Sequence, residues 1–253
     1  MRRVLQVLSL CCLSAIACAS STTEDIGATE QHWDSAAGNP THPTHSTMAE
    51  IAVKTVRAEL PEVATYQASL VDGANKELHD LVEKDPALEA LRLEVGGNNW
   101  AGAHPEVLWE KARAAYAAND PGTAYWYVGM MMHYAQDMGV PAHAFHVIHQ
   151  NGPTSWDNLE VLGFFDFHAD MSLKPPVDPE LENPLDYIEW SAQQARDHFN
   201  TAFPGKTYTR TFFPQAYADM TDDDWAFVKA REASATWVSA YILRSAARAL
   251  RTH

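Results

Sequence analysis

The chain has 253 residues, of which 46% are apolar, and a formal net charge of −15. This length and apolar content suffice for one sizeable hydrophobic core and predict a single domain. The acidity argues against binding of long nucleic acid, because neutralising phosphates needs clustered Lys and Arg and no basic run follows the first three residues. A solvated acidic surface is the ordinary explanation of such a charge. The 12 histidines favour the alternative that some acidic groups face inward towards cations.

The first segment, residues 1–18, has the pattern of a secretory signal peptide. A basic start precedes an apolar run over residues 4–17, which is too short to span a bilayer and ends in small residues. Cys11, Cys12 and Cys18 all lie here, so we expect no disulfide within the mature chain. Cys18 also follows a sequence that resembles a bacterial lipoprotein cleavage site. We expect a secreted, periplasmic or outer-surface protein, either free or lipid-anchored through Cys18.

The rest of the chain divides into an arm and a helical domain. Residues 19–44 are rich in Ser, Thr, Gly, Asn and Pro and predict a flexible arm, which leaves 45–253 as the domain. Apolar spacing and end signals predict helices over residues 45–60 (with Ser46 as N-cap), 61–84, 86–95, 105–118, 123–138, 159–167, 184–203 and 222–250. Loops are predicted between them, notably at 147–158, 174–184 and 206–213. No alternating strands are visible, so we predict an all-α fold, a single multi-helix domain with long loops.

The segment from His133 to His143 carries the strongest chemical signal. His133 and Asp137 are four residues apart, which places both on one face of a helix. Pro141 ends or bends that helix, and His143 follows where the chain can fold back. The predicted helix 123–138 is apolar nearly all round, so an ionised Asp137 is costly to bury there unless it is paired. A divalent cation, zinc above all, would remove that cost and accept these ligands.

Further possible ligands follow within the next thirty residues. They are His146, His149, Asp157, Glu160, Asp166, His168 and Asp170. Taken one at a time, each is more typical of a polar surface than of a metal site. The two carboxylate oxygens of Asp137 allow it to bridge two ions, so a site with more than one ion is predicted.

The pattern His133-x3-Asp137-x3-Pro141-x-His143 resembles the zinc-dependent phospholipase C family, of the bacterial phosphatidylcholine-hydrolysing type. Fungal nucleases that cut single strands with zinc are similar in fold and site. Tyr127-Val128-Gly129 before the pattern and the segments 183–188 and 236–242 also look like that family, so the resemblance covers residues 33–250. It implies a multi-helix fold, one to three Zn²⁺ ions and hydrolysis of phosphodiesters.

The resemblance also implies roles for individual residues. His133 and Asp137 would hold one zinc ion, Asp137 would bridge to a second, and His143 would bind a third. The family begins its mature chain with a Trp whose amino group binds zinc, joined by a His about 13 residues on. Trp33 and His45 match that pair, provided that the chain is cleaved before Trp33. Without that cleavage, His42 or His32 would substitute.

Two departures from the family leave ligands open. Glu160 falls at the distance of the family's Glu, but Trp156 stands where a His is expected, so His149 or His146 would have to substitute. The family also has an Asp and then a His between its first helix and the motif. Here Asp72 with His79, or Asp85 with His104, are the candidate pairs, and Asn98-Asn99 stands near the expected Asp.

The expected function is that of a secreted, metal-dependent phosphodiesterase. Its substrate would be a phospholipid or another phosphodiester, and its zinc cluster would activate water. Hydrolysis of a phospholipid would involve contact with a membrane surface. One alternative is a single-strand nuclease or nucleotidase of the same fold. The other is a surface lipoprotein that keeps the metal site but has lost catalysis.

Overall fold

The computed structural model describes residues 44–76, 105–147, 157–159, 167–214 and 216–252. Throughout these residues the chain is helical or irregular and contains no strand, which confirms the all-α fold class. The helices are α1 (Thr44–Val56), α2 (Gln67–Ala74), α3 (Pro105–Ala117), α4 (Pro121–Met138), α5 (Pro141–Ala144), α6 (Asp186–Ala202) and α7 (Asp222–Leu250). Two 3-10 turns lie at Pro61–Tyr66 and Tyr217–Asp219.

Helix α4 is the centre of the fold. Every residue from Ala124 to Met138 is buried, and α1, α2, α3, α6 and α7 all pack against it. Its first turn is fixed by the carboxylate of Asp120, which accepts a hydrogen bond from the backbone N–H of Thr123 at 3.1 Å. Pro121 occupies a position where no backbone N–H is needed. Any polar side chain on α4 must therefore find its partners inside the core.

Helices α2 and α4 cross at a contact between two glycines. A Cβ atom on Gly73 would lie 2.1 Å from the carbonyl oxygen of Trp126, and one on Gly129 would lie 2.3 Å from that of Leu70. Only glycine allows the two backbones to approach so closely. The crossing brings Ala74, the last residue of α2, next to His133 of α4.

Helix α7 is the longest helix, with 29 residues. A capping box begins it: the amide of Asp224 donates to Oγ1 of Thr221 at 3.2 Å, and the amide of Thr221 donates to Oδ2 of Asp224 at 2.9 Å. Its first turns pack on an aromatic cluster with the end of α6, and its later turns pack on α4 and α1. Among the residues described, no helix is both long enough and apolar enough to cross a membrane.

Several predicted boundaries are confirmed. The structure has helices at Pro105–Ala117, Pro121–Met138 and Asp222–Leu250, within two residues of prediction, and α6 occupies most of the predicted 184–203. The segments 174–184 and 206–213 are irregular, as predicted. The predicted signal segment, nearly all of the arm, the helix at 86–95 and most of the 147–158 and 159–167 segments lie outside the described residues.

Three predictions in the first part of the domain are wrong. Helix α1 begins at Thr44, so Ser46 lies inside the helix and is not its N-cap. The helix also ends at Val56 rather than at Leu60, whose φ of −125° and ψ of 77° are not helical, as expected for the residue before a proline. Within the predicted helix 61–84, residues 61–76 form a 3-10 turn followed by α2, which ends at Ala74, and residues 77–84 lie outside the described residues.

Candidate metal centre

His45, His133 and Asp137 form a buried group, here called the His-His-Asp group. Each residue offers one ligand atom, and these atoms lie within 4.8 Å of one another. Nε2 of His45 is 3.4 Å from Oδ1 of Asp137, and Nε2 of His133 is 3.3 Å from Oδ2. The two imidazole rings stack with their centroids 4.2 Å apart. None of the three residues is more than 3% exposed, so the group is enclosed by the helices that carry it.

Both imidazole rings are anchored through Nδ1. Nδ1 of His133 lies 2.9 Å from the carbonyl oxygen of Ala74, which can only accept a hydrogen bond, so this nitrogen carries the proton. Nδ1 of His45 lies 2.5 Å from Oε1 of Gln136. In the neutral rings both Nε2 atoms therefore hold a lone pair, and each faces one oxygen of Asp137.

This donor set suits a metal ion. Two nitrogen lone pairs and a carboxylate point at one another inside an apolar core, an arrangement that is repulsive unless a positive charge lies between them. A proton can supply that charge, and so can a divalent cation that accepts imidazole and carboxylate ligands. The His-His-Asp group is thus a site that can hold a metal ion.

The protonation state of Asp137 agrees with this chemistry. Burial acts to raise the pKa of its carboxyl group, but when the histidines are protonated, the charge of His133, the hydrogen bond that its Nε2–H then donates and the charges of His143 and His45 act in the opposite direction. Together they hold the pKa of Asp137 well below its usual range. The carboxyl group is therefore ionised, which is the form that binds metals.

His143 reaches the neighbourhood of this group by the turn that the sequence predicts. Helix α4 ends at Met138, Val140 is extended as expected before a proline, and Pro141 begins the short helix α5. His143 is 5% exposed, and its charge acts on the carboxyl group of Asp137. It is not one of the three residues whose ligand atoms come together.

The other predicted ligands are either placed elsewhere or not described. Asp72 accepts a hydrogen bond from Nε1 of Trp126 at 2.7 Å and pairs with Lys76, so the structure does not bring it to the group. His146 is exposed, its backbone has a φ of 53°, and it is not one of the three residues of the group. The following predicted ligands and alternatives lie outside the described residues: Trp33, His149 and Glu160, with His32, His42, His79, Asp85, Asn98, Asn99, His104 and Asp166.

Three polar residues downstream of the motif have structural partners. Asp157 is buried and accepts hydrogen bonds from the hydroxyl of Tyr208 at 2.9 and 3.0 Å. His168 lies beside Tyr217, with Nε2 3.3 Å from the phenol oxygen. Asp170 accepts hydrogen bonds from the backbone and side chain of Ser172. The sequence-based expectation that each of these residues lies at a polar surface is therefore wrong for Asp157, which is buried.

Sequence reasoning misses the residues that orient the histidines. Ala74 acts through its backbone, which no side-chain pattern reveals. Gln136 does carry a signal, because it is a polar residue on a helix that is otherwise apolar nearly all round. Such a residue needs a buried partner, and here the partners are His45 and Ser239.

No family model matches the chain, and no similar protein was found among curated proteins or solved structures. The relationship to zinc-dependent phospholipases C therefore stays a prediction that rests on the residues of the motif. The structure by itself establishes an all-α fold built around a buried group of two histidines and an aspartate.

Proposed function

We propose that this protein is a secreted, zinc-dependent phosphodiesterase that hydrolyses phospholipids, in the manner of a phospholipase C. The observation that carries the proposal is the buried group of His45, His133 and Asp137. Two anchored imidazoles and an ionised carboxylate in an apolar interior favour a bound divalent cation. The spacing of His133, Asp137 and His143, with its resemblance to zinc-dependent phospholipases C, supports phosphodiester chemistry over other metal-dependent reactions.

Each residue of the group has a defined part in this proposal. His45 and His133 would bind the ion through Nε2, and Asp137 would bind it through its carboxylate. His143 would bind a further ion together with ligands such as Glu160 and His149, and Trp33 would contribute its amino group if cleavage made it the first residue. When bound, zinc neutralises charge that develops on a phosphate and lowers the pKa of a coordinated water.

A second candidate is a metal-binding surface protein without catalytic activity. It is favoured by the observation that the described residues bring together the ligands of one ion only. A nuclease or nucleotidase of the same fold is a further candidate, which would differ from the phospholipase in the substrate that it cleaves. The net charge of −15 argues against a long nucleic acid as that substrate.

Counting bound zinc in purified variants tests the metal site. The wild-type protein, loaded with zinc and then dialysed, is expected to retain at least one ion per chain. Asp137→Asn keeps the shape of the side chain but removes its charge, so this variant should retain fewer ions. Asp178→Asn is the matched control, because Asp178 accepts hydrogen bonds from Tyr187 and Arg244 away from the group, and it should retain the wild-type number.

Substrate assays on the same preparations test the activity. Zinc-dependent release of the phosphorylated head group from phosphatidylcholine vesicles, lost in Asp137→Asn and kept in Asp178→Asn, would support the phospholipase. Cleavage of single-stranded DNA without hydrolysis of lipid would favour the nuclease. Hydrolysis of phosphatidylcholine that survives removal of tightly bound metal would contradict the proposal, and zinc binding without any hydrolysis would favour the non-catalytic protein.

A further inference from the structure

A chain of buried hydrogen bonds connects His45 of α1 to the backbone of α7. Nδ1 of His45 is 2.5 Å from Oε1 of Gln136, and Nε2 of Gln136 donates to Oγ of Ser239 at 2.9 Å. Oγ of Ser239 in turn donates to the carbonyl oxygen of Ala235 at 2.9 Å. His45, Gln136 and Ser239 are all 0% exposed, so bulk water does not compete for these bonds.

The direction of this chain is fixed at its α7 end. The carbonyl oxygen of Ala235 only accepts, so the hydroxyl of Ser239 uses its single proton there. Ser239 must then accept from the amide nitrogen of Gln136, which turns the amide oxygen towards His45. That oxygen also only accepts, so neutral His45 carries its proton on Nδ1. Its Nε2 is left with a lone pair that faces Oδ1 of Asp137 at 3.4 Å.

We propose that Gln136 and Ser239 are positioning residues, which set the tautomer and orientation of His45 and so control how tightly the His-His-Asp group binds a metal ion. The inference rests on the metal-binding part of the proposed function. His133 obtains the same orientation from the backbone of Ala74, whereas His45 obtains it from the side chain of Gln136. Groups that hold a ligating histidine through its second nitrogen commonly change metal affinity by about 10–100-fold.

The chemistry of position 136 distinguishes this role from simple packing. The amide of Gln136 lies at the core of the fold, where an apolar side chain of similar size would fill the space without any cost of removing a polar group from water. An amide is also neutral, so it accepts the proton of His45 without adding a second negative charge beside Asp137. In the described structure, Oε1 of Gln136 contacts His45 and Nε2 of Gln136 donates to Ser239, so both polar atoms of the amide take part in the chain of hydrogen bonds.

Zinc affinity, measured by competition with a chelator, is the first test. Gln136→Leu removes the acceptor for His45 and should bind zinc about 10–100-fold more weakly than the wild type. Ser239→Ala lets the amide turn over, and we expect a smaller loss in the same direction. Ser245→Ala is the matched control: its hydroxyl donates to the carbonyls of Leu181 and Glu182 further along α7, and its affinity should be that of the wild type.

The tautomer of His45 is a second readout, which a merely structural role would not move. In metal-free protein at about pH 8, where an ordinary imidazole is neutral, ¹⁵N chemical shifts of the ring report which nitrogen carries the proton. We expect Nδ1–H in the wild type and a mixture of tautomers in Ser239→Ala. If Gln136→Leu does not fold, Ser239→Ala and the wild-type tautomer still decide the question.

The outcomes separate this inference from the proposed enzyme. Wild-type affinity in both Gln136→Leu and Ser239→Ala, or a neutral His45 ring in the wild type whose proton is on Nε2 and not on Nδ1, would overturn the inference while leaving the metal site in place. Zinc binding that is weakened in Gln136→Leu and Ser239→Ala, in a protein that hydrolyses no phosphodiester, would support the inference and overturn the enzymatic proposal. A wild-type protein that binds no zinc would overturn both.

Discussion

In the interior of the protein, the carboxylate of Asp137 faces the Nε2 atoms of two imidazole rings that stack on each other. Burying an ionised carboxylate without compensation costs several kcal/mol, so the positive charge that histidines or a cation supply is needed at this position. The i, i+4 spacing of His133 and Asp137 makes their meeting predictable, because it is a property of one helix. His45 meets them only through the packing of α1, and its place in the sequence pattern comes from the family resemblance alone.

His198, which lies outside the His-His-Asp group, leads to a prediction about how the stability of the protein depends on pH. The ring of His198 stacks on Phe227 with centroids 4.7 Å apart, and burial, helped by the nearby charge of Arg231, lowers the pKa of His198 to about 4. Between about pH 4 and pH 6.5, His198 is protonated in the unfolded chain, where its pKa is the ordinary 6.5, but is neutral in the folded protein. The free energy of unfolding should fall as the pH drops from about 6.5 towards 4, by less than the limit of about 1.4 kcal/mol per pH unit, because solvent still reaches the ring.

Urea unfolding at several pH values in this range, in the wild type and in His198→Gln, measures this effect. The substitution removes the group that titrates, so the stability of the variant should depend less steeply on pH. Equal pH dependence in the two proteins would show that His198 is not the group responsible.

At the scale of elements, the crossing of α2 and α4 positions the site. Gly73 and Gly129 let the helices approach until the carbonyl of Ala74 reaches Nδ1 of His133. This hydrogen bond joins residues 59 apart in sequence, and the bond from Gln136 to Ser239 joins residues 103 apart. Neither follows from helical periodicity, because both depend on how helices pack rather than on the face that a residue occupies.

Gly129→Ala tests the crossing. A methyl group there would meet backbone atoms that cannot move aside, so the helices must separate, at a cost of about 1–3 kcal/mol or more in the free energy of unfolding. Separation also draws Ala74 away from His133, so zinc affinity should fall. Gly122→Ala is the control in the first turn of the same helix, where a Cβ atom would lie 3.6 Å from Oδ1 of Asp120, an ordinary contact, so this variant should lose neither stability nor affinity.

Denaturant unfolding and chelator competition on the two variants give the comparison. Equal stability of the Gly129 and Gly122 variants would contradict the close contact. A destabilised Gly129→Ala with unchanged zinc affinity would contradict the link between the crossing and the orientation of His133.

Over the whole molecule, local signals predict the helices whose ends they mark. The predicted start at residue 222 is confirmed, and the capping box of Thr221 and Asp224 is its structural basis, whereas α4 begins at Pro121, two residues before the predicted 123, because Asp120 caps it. The segment 61–84 has no comparable signal at its true end, and its prediction as one helix is wrong. The fold class, the central helix and the meeting of His133 with Asp137 are thus predictable from local patterns, whereas the approach of His45 and the orientation of the ligands require tertiary packing.

Metal binding should be visible in the stability of the whole protein. An ion that binds only the folded state at a free concentration 100 times its dissociation constant adds about 2.7 kcal/mol to the free energy of unfolding. We expect zinc to raise the melting temperature of the wild type and a chelator to reverse the shift. His45→Gln should lose this response, whereas His198→Gln, which replaces a histidine outside the group, should retain it. A shift of equal size in both variants would place the stabilising zinc elsewhere.

The most direct test of the account is an anomalous difference map, recorded at the zinc absorption edge from crystals of the zinc-loaded protein. The account predicts a peak bounded by Nε2 of His45, Nε2 of His133 and the carboxylate of Asp137. A zinc-loaded protein whose map shows no peak among these three side chains would contradict it.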